Sequence, residues 1–273
     1  MTKIYYQGIE GSYHHYASIK IKKDLNIEVD EMIGLSSFEK CWEKVWEKDA
    51  ILVLAIENST AGSIYENLYK FGTLDVEIIG EYNMEINHCI CSLENDINKV
   101  KKVYSHFKAL PQCYNYLKEK NINNQIVFPD TAGAAKKIFM DNELQAAAIC
   151  SSFAAKMYNL NILEENIQDQ KWNTTRFVVI VPRWSDIKYR DIKNKVSVLF
   201  EARNIPASLY KCLWAFATNN VNLSKIESLP NIKNPFSYLF WLDFEGKLEE
   251  ANVKKALEEL KFFTSNINII WEY

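Results

Sequence analysis

In the stretch QDQKWNTTRFVVIV, Gln168 to Val181, a polar cluster of Asn173, Thr174, Thr175 and Arg176 runs directly into an apolar, β-branched strand from Phe177 to Val181. Hydroxyls and a guanidinium are thereby presented at a strand's leading edge, where α/β proteins tend to keep their chemistry. A loop whose threonines cap turns and whose arginine pairs on the surface would account for the same residues taken alone. A second cluster, Glu57-Asn58-Ser59-Thr60-Ala61-Gly62-Ser63, ends the continuous apolar run Ala50 to Ile56. Small and polar residues at the carboxyl end of a buried strand mark the ligand-binding edge of an open α/β sheet. Glu57, beside the sheet core, is expected to be desolvated and so available as an acid. Helix capping explains one or two of the seven residues and leaves the others.

Two further groups are weaker. Gly8 to Ser12 follows the β-prone run Lys3 to Tyr6 and precedes a helix expected from about Tyr13, an arrangement that aims backbone N–H groups at an anion and that a plain tight turn also satisfies. His14 and His15 are candidate proton carriers or, more simply, packing residues. His88, Cys89 and Cys91 invite a metal, but alternate strand residues face opposite ways and no fourth ligand has suitable spacing, so no metal is expected.

The elements needed to position these groups can be read from periodicity. Apolar residues at Phe38, Cys41, Trp42 and Val45 behind a serine predict a helix over Ser36 to Lys48. Ile64, Leu68 and Phe71 suggest another, and the pattern restarts at Gly80. Strands are expected at His88 to Leu93, Val100 to Tyr104, Ile126 to Phe128 and Ala146 to Cys150, with helices opened by Pro111 and capped by Thr131. Strand and helix alternate through two halves of roughly 80 residues each, which predicts an α/β fold of two lobes around a cleft, like a periplasmic binding protein, with Arg176 to Val181 returning through the hinge. Lobe 1 would be about 1–79 plus 176–182 and lobe 2 about 80–175. The polar stretch 183–194 is the expected linker. Beyond it, 195–273 reads β-α-β-β-α-β, the ferredoxin-like order.

The chain has 273 residues, 48% hydrophobic and 25% charged, with net charge −3. Interspersed Lys and Glu offer no concentrated basic surface for nucleic acid or an anionic membrane. The six scattered cysteines read as reduced core thiols, and neither a signal peptide nor a membrane span is expected, so a cytoplasmic location follows.

Several stretches together, GIEGSYHH, AIENSTAGSIYENL, VYSHFKALPQC, DTAGAAKKI through AAAICSSFAAKMYNLNIL, IQDQKWNTTRFVVI, NLSKIESLP and YLFWLDFEG, resemble the monofunctional prephenate dehydratases with a C-terminal ACT domain over nearly the full chain. The resemblance implies conversion of prephenate to phenylpyruvate with loss of carbon dioxide and water, without a cofactor. It implies that Thr175 is catalytic, with Arg176 and Glu57 beside it, and that Asn58, Ser59, Thr60, Ser105, Gln112 and Phe177 line the substrate site. On that reading Asn58→Ala raises KM more than it lowers kcat. For the ACT domain it implies phenylalanine as effector, bound between domains of a homodimer or homotetramer by Ala207, Ser208, Leu209, Asn222, Leu223, Glu227 and Ser228. Departures from the family pattern are Ile9 for a proline, Phe107-Lys108 for Pro-Gln, Ala207-Ser208-Leu209 for Gly-Ala-Leu, and Leu229 for the arginine of Glu-Ser-Arg-Pro. Rival readings are an arogenate dehydratase, a silent amino-acid sensor and an exported solute receptor.

Overall fold

The computed structural model describes residues 1–25, 28–187, 194–231, 234 and 237–272. Six of the predicted linker's residues, 188–193, lie outside them. Two compact units emerge: one built from Met1–Asp24, Glu28–Ile64 and Tyr82–Phe177, the other chiefly from Tyr65–Glu81 and Val178–Tyr273.

Two sheets draw most of their strands from the first unit. In one, strand Lys3–Gln7 lies between Glu31–Leu35 and Ala50–Asn58, parallel to both. The order continues through Thr174–Pro182 to Val76–Glu85. Residues 50–56 are buried on both faces, which is why the run AILVLAI carries no polar alternation. Gly34 packs so closely that an added Cβ would lie 2.4 Å from the Gly8 carbonyl oxygen, while the Gly8 N–H donates to the Leu35 carbonyl at 2.7 Å. Gly34→Ala must push the glycine turn off the sheet and is expected to cost about 1–3 kcal/mol, read as a lowered urea midpoint with unchanged slope. The second sheet has the order Asn161–Glu165, Cys89–Ser92, Ala146–Cys150, Lys102–Ser105, Gln125–Val127. Its small-residue strand Ala146–Cys150 packs against the alanine face of helix Thr131–Met140, which allows close approach.

Differences from the sequence reading are local. Strand Val76–Glu85 runs unbroken through Gly80, because a buried glycine in a paired strand does not interrupt it. Ser37 caps a shorter helix, Phe38–Glu43. Pro111 lies inside Ala109–Gln112, and a change of backbone direction at Cys113 separates that turn from Tyr114–Glu119. Asp130, not Thr131, caps Thr131–Met140, its carboxylate accepting from the Gly133 N–H at 2.6 Å.

The second unit contains a four-stranded antiparallel sheet in the order Leu223–Pro230, Tyr238–Glu245, Lys195–Ala202, Thr264–Glu272. Its helices Ser208–Thr218 and Ala251–Phe263 bury Cys212, Phe216, Val253, Ala256 and Leu260 in a common core. The predicted β-α-β-β-α-β succession folds in the ferredoxin-like strand order.

Candidate active site

Asn58 ends strand Ala50–Asn58 and turns its side chain back on its own loop. Its Oδ1 accepts from the backbone N–H groups of Thr60, at 3.0 Å, and Ala61, at 2.8 Å, and from the Thr60 hydroxyl at 2.7 Å. Backbone N–H groups can only donate, so the amide is fixed with Nδ2 facing outward. Nδ2 donates to Asn173 Oδ1 at 2.7 Å and to the Thr175 hydroxyl oxygen at 2.9 Å. Ser59 stitches the same two segments together: its N–H donates to the Thr174 carbonyl, its hydroxyl to the Trp172 carbonyl, and it accepts from the Thr174 N–H.

The orientation continues outward. Asn173 Nδ2 donates to Gln112 Oε1 at 3.0 Å, and Gln112 Nε2 donates to the Thr60 hydroxyl at 3.3 Å. Asn58, Thr60, Gln112 and Asn173 thus close a ring of amides and a hydroxyl, with Thr175 attached at Asn58. Thr60, Gln112 and Asn173, with Gln168 and Asp169, line a cavity of about 220 Å3. Thr175 is only 8% exposed and accepts from Asn58, and no acceptor among the described residues takes its proton. Water-poor surroundings with an amide donor behind the hydroxyl oxygen suit a group that gives up a proton, because the bond from Asn58 tightens as charge builds on that oxygen.

Arg176, pointing to the other face of its strand, pairs with Glu57 at 3.8 Å. The Glu57 side chain is 35% exposed, which corrects the expectation of a desolvated acid: a third of it stands in water beside a cation. Ser105 is fully buried and donates to the Ile149 carbonyl at 2.7 Å, so its proton serves the second sheet and it does not join the ring. Phe177 is buried with its ring edge-to-face against His14.

The histidines divide by burial. His14 Nε2 accepts from the Ala55 N–H at 3.2 Å, and burial pushes its pKa down to about 3. His15 Nδ1 accepts from the Gly11 N–H at 3.0 Å, and burial lowers its pKa as well. Both hold backbone in place, as packing residues do. No group of three or more His, Cys, Asp or Glu able to hold a metal occurs among the described residues. Sequence reasoning had weighed His88 as a metal ligand and had named Asn173 only within a polar cluster. The amide Asn173 stands 115 residues from its partner Asn58, and the only sequence signal for it was its place just ahead of the two threonines.

Comparison with known proteins places these residues in context. The family model described as prephenate dehydratase matches residues 4–183. The chain is 35% identical over 284 residues to "Arogenate dehydratase/prephenate dehydratase 2, chloroplastic" of Arabidopsis thaliana, covering 100% of this chain and 72% of that protein. It is 37% identical over 242 residues to the prephenate dehydratase of Methanocaldococcus jannaschii, covering 87% and 86%. Among solved structures, GqqA, described as a novel type of quorum quenching acylase, superposes with TM-score 0.83 at 28% identity over 98% of this chain and 96% of that one. Prephenate dehydratase from Arthrobacter aurescens in complex with L-Phe superposes with TM-score 0.85 at 23% identity over 100% and 89%, which speaks for the fold.

Proposed function

Because this chain belongs to the prephenate dehydratase family, we propose that the ring around Asn58 and the Thr175 hydroxyl forms its catalytic centre, acting on prephenate. The enzyme converts prephenate to phenylpyruvate. The bond between the ring and its carboxylate breaks, its electron pair makes the ring aromatic, and the hydroxyl on the opposite ring carbon departs. Carbon dioxide and water leave, and one proton is consumed. Hydroxide is a poor leaving group, so the protein's task is a proton at the departing oxygen and a fixed pose for the substrate.

The observation that carries this reading is the direction of the Asn58–Thr175 bond. Asn58 Nδ2 donates at 2.9 Å, so the threonine oxygen is the acceptor and its proton remains for the substrate. Arg176, on the other face of the strand and paired with Glu57, adds positive charge near the centre without touching that oxygen. Gln112 and Asn173 supply amide N–H groups for the carboxylates and the ketone, while the Thr60 hydroxyl gives its proton to Asn58.

An ultraviolet assay of phenylpyruvate formation tests the assignment. Prephenate should be turned over by the purified chain, and a rate no higher than the uncatalysed one would remove it. Relatives named arogenate dehydratase make arogenate the second substrate to run, with phenylalanine as the product. No helix among the described residues is long and apolar enough to cross a membrane. All six cysteines are free and buried, in keeping with a reducing compartment, and the cytoplasm is the proposed location.

Residues 1–182 are assigned the chemistry and 195–273 its regulation as an ACT domain. Ala207, Ser208 and Leu209 border a cavity of about 850 Å3, and phenylalanine is the proposed effector there. Asn222, Leu223, Glu227 and Ser228, expected at the same site, are not among the residues that line that cavity. Ala207 has φ +61°, a conformation that suits glycine. Leu229, at the position of the family's arginine, is fully buried and leaves a charge out of the site. Calorimetry should register heat on titrating phenylalanine, and Ala207→Gly should bind it more tightly and gain up to about 1 kcal/mol in stability. Absence of heat in both proteins would end the regulatory assignment.

A further inference from the structure

His88 is buried just ahead of strand Cys89–Ser92, and its Nε2 lies 3.0 Å from Gln112 Oε1. The orientation of that contact follows from two backbone N–H groups well away in sequence. Thr60 and Ala61 donate to Asn58 Oδ1, so Asn58 Nδ2 faces Asn173 Oδ1, so Asn173 Nδ2 faces Gln112. Gln112 must therefore present its carbonyl oxygen, which only accepts, to both Asn173 and His88. His88 has to answer with an N–H at Nε2. Its other nitrogen, Nδ1, is 3.1 Å from the Tyr13 hydroxyl, whose single proton is shared between Nδ1 and the Asn87 carbonyl at 2.9 Å. The His88 backbone N–H is taken by Gln168 Oε1 at 2.9 Å, so the residue is held at the main chain and at Nε2.

We propose that His88 is a positioning residue for the dehydration: neutral and protonated at Nε2, it holds the Gln112 carbonyl oxygen and so keeps Gln112 and Asn173 packed against Asn58, whose Nδ2 leaves the Thr175 proton for the substrate. Burial lowers its pKa, in keeping with the neutral form. Without the N–H, Gln112 is released to rotate its amide. Asn58 stays oriented by the Thr60 and Ala61 N–H groups, but Asn173 loses its fixed acceptor, and the Asn58 Nδ2 bond to Thr175 loses the neighbour that aligns it. The assignment rests on the proposed role of Thr175, but its first test does not depend on activity.

Spectra of the native protein with 15N-labelled histidine distinguish the two neutral tautomers, and the chain has four histidines to assign. The His88 signal, identified by its loss in His88→Gln, should show the Nε2–H form; an Nδ1–H form overturns the proposal even if the enzyme is fully active. The second test compares substitutions that keep or lose the donor. His88→Gln carries an amide N–H to about the same point, and His88→Met fills the space without one. At equal melting temperature, the methionine variant should lose roughly tenfold in kcat, more than KM rises, and the glutamine variant should recover most of it. Equal kcat in the methionine variant and the native enzyme, or equal loss in both variants, refutes positioning through Gln112 and leaves the dehydratase reading standing. Failure of the native chain on prephenate would count against that reading alone.

Discussion

Thr175→Ala should turn prephenate over about 10²–10⁴ times more slowly than the native chain, with KM little changed. The size follows from what is lost. The substrate keeps its amide contacts, but the departing oxygen must take its proton from water that the 8% exposure of Thr175 largely excludes. Thr175→Ser retains the hydroxyl within reach of Asn58 and should keep most of the activity. Thr175→Val matches the shape without the donor and should behave like alanine. Near-native turnover in the alanine or valine variant would take Thr175 out of the chemistry. A rise in KM at constant kcat would make it a binding group.

Asn58 is expected to give the second largest effect, and here the structure redirects what the sequence suggested. As a bare amide in a polar cluster, Asn58 looked like a substrate contact whose loss would appear in KM. Its Nδ2 proves to be committed to Thr175 Oγ1 and Asn173 Oδ1, and its Oδ1 to the 58–61 turn. Asn58→Ala should therefore lower kcat by about 10²-fold through the threonine. It should also cost about 1–3 kcal/mol of stability through the unsatisfied turn. Asn58→Asp separates the two. One carboxylate oxygen still caps the turn, while the other accepts where the amide donated and competes for the Thr175 proton. Its melting temperature should exceed that of the alanine variant while kcat falls just as far. An aspartate variant with native kcat would show that the direction of this bond is irrelevant to catalysis.

What the sequence revealed and what it concealed separate by range. The run AILVLAI could be assigned to a buried parallel strand because no residue in it needs water, and the ferredoxin-like order followed from four strand signals and two amphipathic helices. Gly80 misled because its effect depends on the pairing of neighbouring backbone, which no local rule contains. The candidate site was legible as two polar clusters at strand ends, because both interrupt apolar runs that periodicity makes visible. Its internal wiring was not. Nothing in the order of residues says that Ser105 spends its proton on Ile149, that a third of Glu57 stays in water beside Arg176, or that a lone histidine ahead of an apolar strand meets Gln112. Those facts depend on which of several equivalent donors and acceptors the two sheets bring within 3 Å, a choice made only by the folded chain.

The claim on which the mechanism turns is that a hydroxyl proton is in flight as the ring oxygen leaves. The most direct measurement is the single-turnover rate of phenylpyruvate formation by the native enzyme in water, in D2O and in mixtures of the two, with product release excluded by the design. A rate that falls linearly with deuterium fraction is predicted, since a single proton crosses from Thr175 to the departing oxygen in the transition state. Identical rates in the two solvents would contradict it, and would mean that the hydroxyl leaves without being protonated.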